Sequence, residues 1–495
     1  MKKIYISIFV LSALTFTGCA DDYLDVKQTE TISTDDIELF NNDSGAKTFV
    51  TSIYSKFLDW DMSSFGWIGL ASITSDDADK GSTPSDTGTD KDVLDALTYN
   101  ASNPSAESTF NANYDGINRC NQALAILPKL DKADPALKER LMAEAKFLRA
   151  FMYFTLVKCY GGVPIVDHVS SIPLSAEDKA MQLTRKTAAE VYAFIEKDLT
   201  EAAAVLPNKS EYADAEKARA SKGAAYALLA KVSLYQKKWQ DVVDNCNLVT
   251  GYSISPDYAK MFRLEGENDG ESIFEINGNG AVPTRGIQGY SNTQGVRDAW
   301  GWGFNQPSQS LVNAYEAGDV RKEATIIFRG TTLYDGRVIP VVSADDPNPR
   351  YNYKAYSSAY TSAWETDANI KYLRYAEVLL MKAEALNELG QTSEAIPLLN
   401  QIRHRAGLGD TPATSQSAVR TAIWKERRVE LAFEFDRFFD LVRTGQAKAA
   451  FEADKSDIFP NGRVFTEGKN ELFPIPASFL LQANGLSQQN PGYPN

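Results

Sequence analysis

Apolar residues recur along this chain at helical spacing. Leu141, Ala145, Leu148, Met152 and Leu156 form one stripe, and such a stripe predicts an amphipathic helix that Gly161, Gly162 and Pro164 then stop. The same pattern predicts helices over about 188–206, ending at Pro207, over about 218–236 and over about 239–249, before Gly251. Tyr372, Ala376, Leu379, Ala383 and Leu386 predict another that ends at Gly390. Thr392 or Ser393 is placed to cap the next, which runs to about Arg405 before Gly407. Two segments look alike. LLAKVSLYQKKWQDVVDNCN at 228–247 and LLMKAEALNELGQTSEAIPLLN at 379–400 each hold a helix with small residues (Ala230, Ala383, Ala385), a short turn and a second helix. That is the tetratricopeptide-like hairpin, used here as a scaffold because long insertions separate the copies.

The insertions differ in composition. Residues 74–109 are polar, acidic and rich in Ser, Thr and Gly, and are expected to form a loop. Residues 277–310 hold seven glycines with Tyr290, Arg297, Trp300 and Trp302 among amides. Residues 330–366 add Tyr334, Tyr351, Tyr353, Tyr356, Tyr360 and Trp364. Loops mounted on a rigid frame are where binding groups concentrate.

At the start, Lys2 and Lys3 precede an apolar run from Ile4 to Phe16, then Thr17, Gly18 and Cys19. The run is too short to span a bilayer, which takes about 20 residues, and reads as a secretory signal. Cys19 after a small residue resembles the cleavage and acylation site of bacterial lipoproteins, and Ala20-Asp21-Asp22 resembles a surface-export signal. Loss of Lys2 and Lys3 leaves 49 of the 51 basic residues against 65 acids, shifting the balance from −14 to −16. That charge argues against wrapping nucleic acid. Cys120, Cys159 and Cys246 are odd in number and lie in helical patterns, so buried free thiols are expected.

The search for catalytic chemistry yields little. HExxH, GxSxG and paired CxxC motifs do not occur, and the only histidines, His168 and His404, are far apart. His404, between Arg403 and Arg405, fits a helix C-terminus. Asp76, Asp77 and Asp79 lack the spacing of a calcium-binding EF-hand loop and read as a solvated acidic loop. No metal or cofactor is expected. The block Glu426, Arg427, Arg428, Glu430, Glu434, Asp436, Arg437, Asp440 and Arg443 puts like charges four apart, so it needs partners from other elements and predicts buried ion pairs. What remains is aromatic rings beside Asn, Asp and Arg, which suits sugars. Flat rings cover the C–H faces, and carboxylates and guanidinium groups satisfy the hydroxyls.

Seven blocks carry a resemblance to a known family: CADDYLDV at 19–26, AEAKFLRAFMYFTLVKCYGGVPIV at 143–166, IEKDLTEAAAVLP at 195–207, KGAAYALLAKVSLYQKKW at 222–239, RYAEVLLMKAEALNELGQTSEAIPLLNQIRHRAGL at 374–408, AIWKERRVELAFEFDRFFDLVRTGQ at 422–446 and LFPIPASFLLQANGLSQQNPGY at 472–493. In this order they resemble the SusD/RagB family of outer-membrane nutrient-binding lipoproteins of Bacteroidetes. The resemblance implies an all-α fold built on tetratricopeptide-like hairpins. It implies a signal peptide at 1–18, a lipid-anchored tether at 19–30 with Cys19 acylated, and one SusD-like domain at 31–495, with halves of about 31–210 and 211–495. It further implies a cell-surface binding protein, not an enzyme, that passes oligosaccharide to a SusC-like TonB-dependent outer-membrane transporter; a peptide-binding member of the same family is the alternative, and a glycoside hydrolase using two of the many carboxylates is the less favoured one. By position, the ligand-binding residues are expected among Trp60, Trp67, Tyr290, Arg297, Trp300 and Trp302.

Overall fold

The computed structural model describes residues 34–83, 86, 88–297, 299–341, 347–358, 364–456 and 458–494. The predicted signal segment and Cys19 lie outside the described residues.

Nine longer helices carry the frame: α1 (Asp43–Lys56), α2 (Pro104–Ile126), α3 (Pro135–Tyr160), α4 (Ala188–Val205), α5 (Lys222–Tyr235), α6 (Trp239–Leu248), α7 (Tyr375–Glu388), α8 (Thr392–Arg405) and α9 (Gln416–Glu430). Their ends follow local chemistry. The Asp134 side chain accepts from the Leu137 amide and Pro135 opens α3, so two otherwise unpaired positions are settled before the apolar stripe begins. Thr187 and Glu190 form a reciprocal cap on α4.

The two hairpins predicted from the repeat are α5/α6 and α7/α8, and their turns close in the same way. In the first, the Lys238 amide donates to the Ser233 carbonyl (3.0 Å), with Lys237 at a φ of 57°. In the second, the Gln391 amide donates to Leu386 (2.8 Å), with Gly390 at a φ of 80°. Both are left-handed helix stops that recover an orphan carbonyl. Ala230, Ala383 and Ala385 are fully buried, which lets α5 and α6 pack closely on α7. Helices α1 to α5 continue the row on one side, and α8 and α9 on the other. One hydrophobic core runs through it from Ala46 to Tyr493.

The chain is mostly helical, with short two-stranded antiparallel ladders in the insertions: β1 (Ala78–Gly81) with β4 (Phe304–Pro307), β2 (Ser272–Ile276) with β8 (Ile370–Arg374), β3 (Ile287–Gln288) with β7 (Glu365–Thr366), and β5 (Ile326–Phe328) with β6 (Arg350–Asn352). Two expectations are corrected here. Tyr372 lies in β8, not in the following helix, because its backbone belongs to the ladder with β2; the helix starts at Tyr375. The 74–109 segment is not all loop: it holds β1, the helix Thr89–Asp95 and the start of α2.

The acidic run is not solvated either. Asp76 and Asp77 are buried: Arg437 Nε meets Asp76 at 2.6 Å and Arg428 Nε meets Asp77 at 2.7 Å. The 426–443 block pairs as expected. Arg374 reaches Glu271 (2.7 Å) and Glu434 (2.6 Å), Arg321 reaches Glu426 (2.6 Å) and Glu430 (2.9 Å), and Lys231 reaches Asp436 (2.7 Å). Cys120, Cys159 and Cys246 are buried and free, and burial pushes the Cys159 thiol up to about 12. His404 sits in the last turn of α8 with its Nε2 2.6 Å from Asp410.

Candidate functional site

Three indoles from distant segments meet at the surface. Trp60 opens the short helix Trp60–Ser63, Trp302 precedes β4, and Trp364 precedes β7. Trp60 lies 4.8 Å from Trp364 with planes at 31°, and 5.8 Å from Trp302 at 67°; Trp302 and Trp364 are 5.8 Å apart at 42°. Trp302 is 36% exposed and Trp364 42% exposed, while Trp60 is half-buried between them. Phe65 supports the group from below, 5.3 Å from Trp60 and 4.8 Å from Phe304. The Lys91 ammonium stands 3.4 Å from the Phe65 ring centre, a cation on the electron-rich face.

Backbone contacts hold each ring. The Trp60 amide donates to Gln288 Oε1 (3.2 Å), the Gly289 amide donates to the Trp364 carbonyl (2.8 Å), and the Trp302 amide donates to Asn292 (2.7 Å). Gly289, just after β3, has a φ of 66°, and a β-carbon there would stand 2.2 Å from the Trp60 ring. Only glycine allows that approach.

Arg297 borders the platform. Its Nη1 donates to Ser82 Oγ (2.8 Å) and to the Trp302 carbonyl (3.2 Å), and its Nη2 donates to Asp86 Oδ1 (3.1 Å). Burial opposes ionisation of Asp86, but the hydrogen bonds from Arg297 and Ser82 outweigh it and hold the carboxyl below its usual range. Glu365 accepts from the Thr284 amide (3.1 Å) and the Gly286 amide (3.0 Å), so it staples the 278–286 loop beside Trp364.

Of the residues expected from sequence, the structure brings Trp60, Trp302 and Arg297 together. It places three others elsewhere. Trp67 is 5% exposed, stacked 6.2 Å from Phe439 and 5.8 Å from Phe435 in the main core. Trp300 is 5% exposed, 4.8 Å from Tyr356 and covered by the Arg337 guanidinium at 5.1 Å. Tyr290 is 4% exposed in the main core. All three rings are packed inside the protein, away from the Trp60–Trp302–Trp364 group. Trp364 and Phe65 were missed. Trp364 stands in the aromatic 330–366 segment, but only the β3–β7 pairing brings it to Trp60. Among the described residues no group of His, Cys, Asp or Glu is arranged to hold a metal, and no helix is long and apolar enough to cross a membrane.

Comparison with known proteins agrees with this architecture. The profile described as "SusD family" matches residues 270–493, and one described as "Starch-binding associating with outer membrane" matches residues 22–234. SusD-like protein P2 of Formosa agariphila is 29% identical, with both chains covered in full. A SusD-like protein of Bacteroides fragilis superposes with a TM-score of 0.77 at 26% identity, over 93% of this chain and 99% of its own. A laminarin-binding SusD-like protein superposes with a TM-score of 0.74 at 29% identity, over 91% of this chain and 100% of its own. With matches that run from residue 22 to residue 493 and a shared helical frame, the chain belongs to the SusD family.

Proposed function

We propose that this protein is a cell-surface lipoprotein that binds oligosaccharide on the Trp60–Trp302–Trp364 platform and delivers it to a SusC-like TonB-dependent transporter. The observation that carries the reading is two exposed indoles braced by a third. Flat, pre-oriented rings of this kind offer large contact area at little entropic cost. The laminarin-binding relative at 29% identity supports glycan as the ligand class. The carboxylates next to the platform are engaged: Asp86 by Arg297 and Ser82, and Glu365 by two loop amides. That supports capture without hydrolysis, since a glycosidase needs two carboxyl groups free to act on one bond. Anchoring through Cys19 and a place in the outer membrane, facing outward, follow from the sequence reading.

The test is isothermal titration with laminarin and starch oligosaccharides, with a peptide pool as control. Wild type is expected to bind a glycan and release no reducing sugar from it, and W302A/W364A to lose binding while keeping the wild-type melting temperature. A doubly substituted protein that still binds, or a ligand found only among the peptides, overturns the reading. Co-purification with a TonB-dependent barrel tests the delivery step.

A further inference from the structure

A narrow cleft of about 280 Å³, open solvent included, is lined by Arg263, Glu267, Lys354, Tyr356, Asn369 and Lys371, among others, and its Tyr356 ring packs 4.8 Å from Trp300, two residues before Trp302 of the platform. Ser357 on one side of Trp364 in sequence, and Ala368 and Asn369 on the other, line it as well. Residues on both sequence sides of Trp364 therefore line this cleft.

The charges in the cleft do not cancel. Lys354 has its carboxylate in Glu434 (2.6 Å), and Lys371 has its own in Glu275. Arg263 has none within ion-pair distance among the described residues, and Asp257 acts on it only from further away. Its Nη1 donates to the carbonyls of Phe262 and Tyr353, each at 3.2 Å. Its guanidinium packs 3.9 Å from the Tyr353 ring centre and 4.8 Å from that of Tyr334. Arg263 is only 7% exposed, and a cation buried without a counter-charge is costly unless an anion completes it. Glu267 does not fill that role. Burial and the neighbouring Glu275 push its carboxyl up to about 7 against the opposing effect of Lys371, so near neutral pH it is partly uncharged. Tyr334, whose ring the Arg263 guanidinium covers, is 46% exposed, its hydroxyl accepting from the Ser358 amide (3.2 Å).

We propose that this cleft receives an anionic substituent of the glycan, a uronate carboxylate or a sulfate ester, with Arg263 as the residue that recognises it. The inference rests on the glycan-binding reading above and narrows its ligand class. Arg263, stacked on Tyr353 and Tyr334, is held in orientation before the anion arrives.

Glucose, glucuronate and glucose 6-sulfate, titrated at matched ionic strength and pH 6.5, provide the test. Wild type is expected to favour at least one charged probe over glucose by about tenfold, the yield of one charge-assisted hydrogen bond. Preference for one anion alone identifies the source of the charge. R263Q is expected to bring the charged probes down to glucose, whereas W302A/W364A weakens all three together. If wild type binds the three alike, or if R263Q melts like wild type and keeps the preference, the proposal is overturned. Should R263Q fail to fold, Y334A decides: its ring is at the surface, a several-fold loss of preference supports the proposal, and an unchanged preference overturns it. Loss of sugar binding in no platform variant would refute the platform alone, since a charge preference erased at Arg263 is read separately.

Discussion

Gly289 lies directly against the Trp60 indole, so close that a methyl group on its α-carbon would stand 2.2 Å from the ring. The residue also has a φ of 66°, a conformation that costs other residues about 1 kcal/mol. Gly289→Ala is therefore expected to push Trp60 off Trp364 and disturb the platform from beneath. Titration calorimetry should show at least a tenfold loss of glycan affinity, while the melting temperature falls by only a few degrees. Unchanged affinity would mean that Trp60 does not set the position of the exposed rings.

Trp67 and Trp302 separate stability from binding. Trp67 is packed among Phe435 and Phe439, and Trp67→Ala is expected to cost about 3–5 kcal/mol, as large core truncations do. Urea unfolding measures that loss, and the folded fraction should bind glycan as wild type does. Trp302→Ala should reverse the pattern, with little change in the urea midpoint and a large loss of affinity.

These contrasts show what the sequence could and could not convey. Helices were legible because their signals are local: the Leu141–Leu156 stripe and the stops at Gly161 and Gly390. The ion pairs around Glu430 were legible as a need, since Glu426, Glu430 and Glu434 at four-residue spacing cannot support one another. Their partners Arg321, Arg374 and Arg405 were not, because they arrive from other elements. Tyr372 fitted a helical stripe by spacing alone, and the ladder with β2 overrode it. Burial decided the site. Trp300 and Trp302 are nearly adjacent, yet one faces Tyr356 inside and the other faces solvent. Nothing in the composition of 277–310 distinguishes them, and Trp364 joins the group only through the pairing of β3 with β7.

Glu430 is the hub of the buried charges, with Arg321, Arg374 and Arg405 all against its carboxylate. Burial alone would favour its neutral form, but Arg405, Arg374 and Arg321 outweigh it and hold its acidity well below the usual carboxylate range. Its contribution is thus present at neutral pH and is lost as pH falls through that depressed value. Glu430→Gln leaves three guanidinium groups short of one negative charge, and an expected cost of about 3–5 kcal/mol follows. Equilibrium urea unfolding at pH 7 measures it. A loss under about 1 kcal/mol would place the hub's role outside stability.

Asp79, Asp95 and Asp454 surround a single buried guanidinium, Arg463, which meets Asp95 at 2.8 Å and also pairs with Asp454. Asp79 Oδ1 has no hydrogen-bond partner among the described residues, and Arg350 is the other cation that acts on it. Burial pushes Asp79 up to about 6 and Asp95 up to about 8, with Arg463 opposing both shifts and the neighbouring acids adding to them. In the unfolded chain both release their protons near pH 3.9. Between that pH and about 8 the folded state binds more protons than the unfolded state, so these two groups make stability decline as pH rises, by an amount on the order of a few kcal/mol. The melting temperature is expected to fall from pH 6 to pH 9, and Asp79→Asn, which keeps the shape and removes one charge, to flatten that fall. The effect should reach the binding site. Asp79 lies on β1, paired with β4, and the Ser82 amide just beyond β1 donates to the Gly303 carbonyl (2.7 Å) next to Trp302. Loosening β1 frees the Trp302 backbone, so glycan affinity should weaken over the same pH range in wild type and less in Asp79→Asn. A melting temperature that rises from pH 6 to pH 9 would show that other groups dominate the alkaline limb.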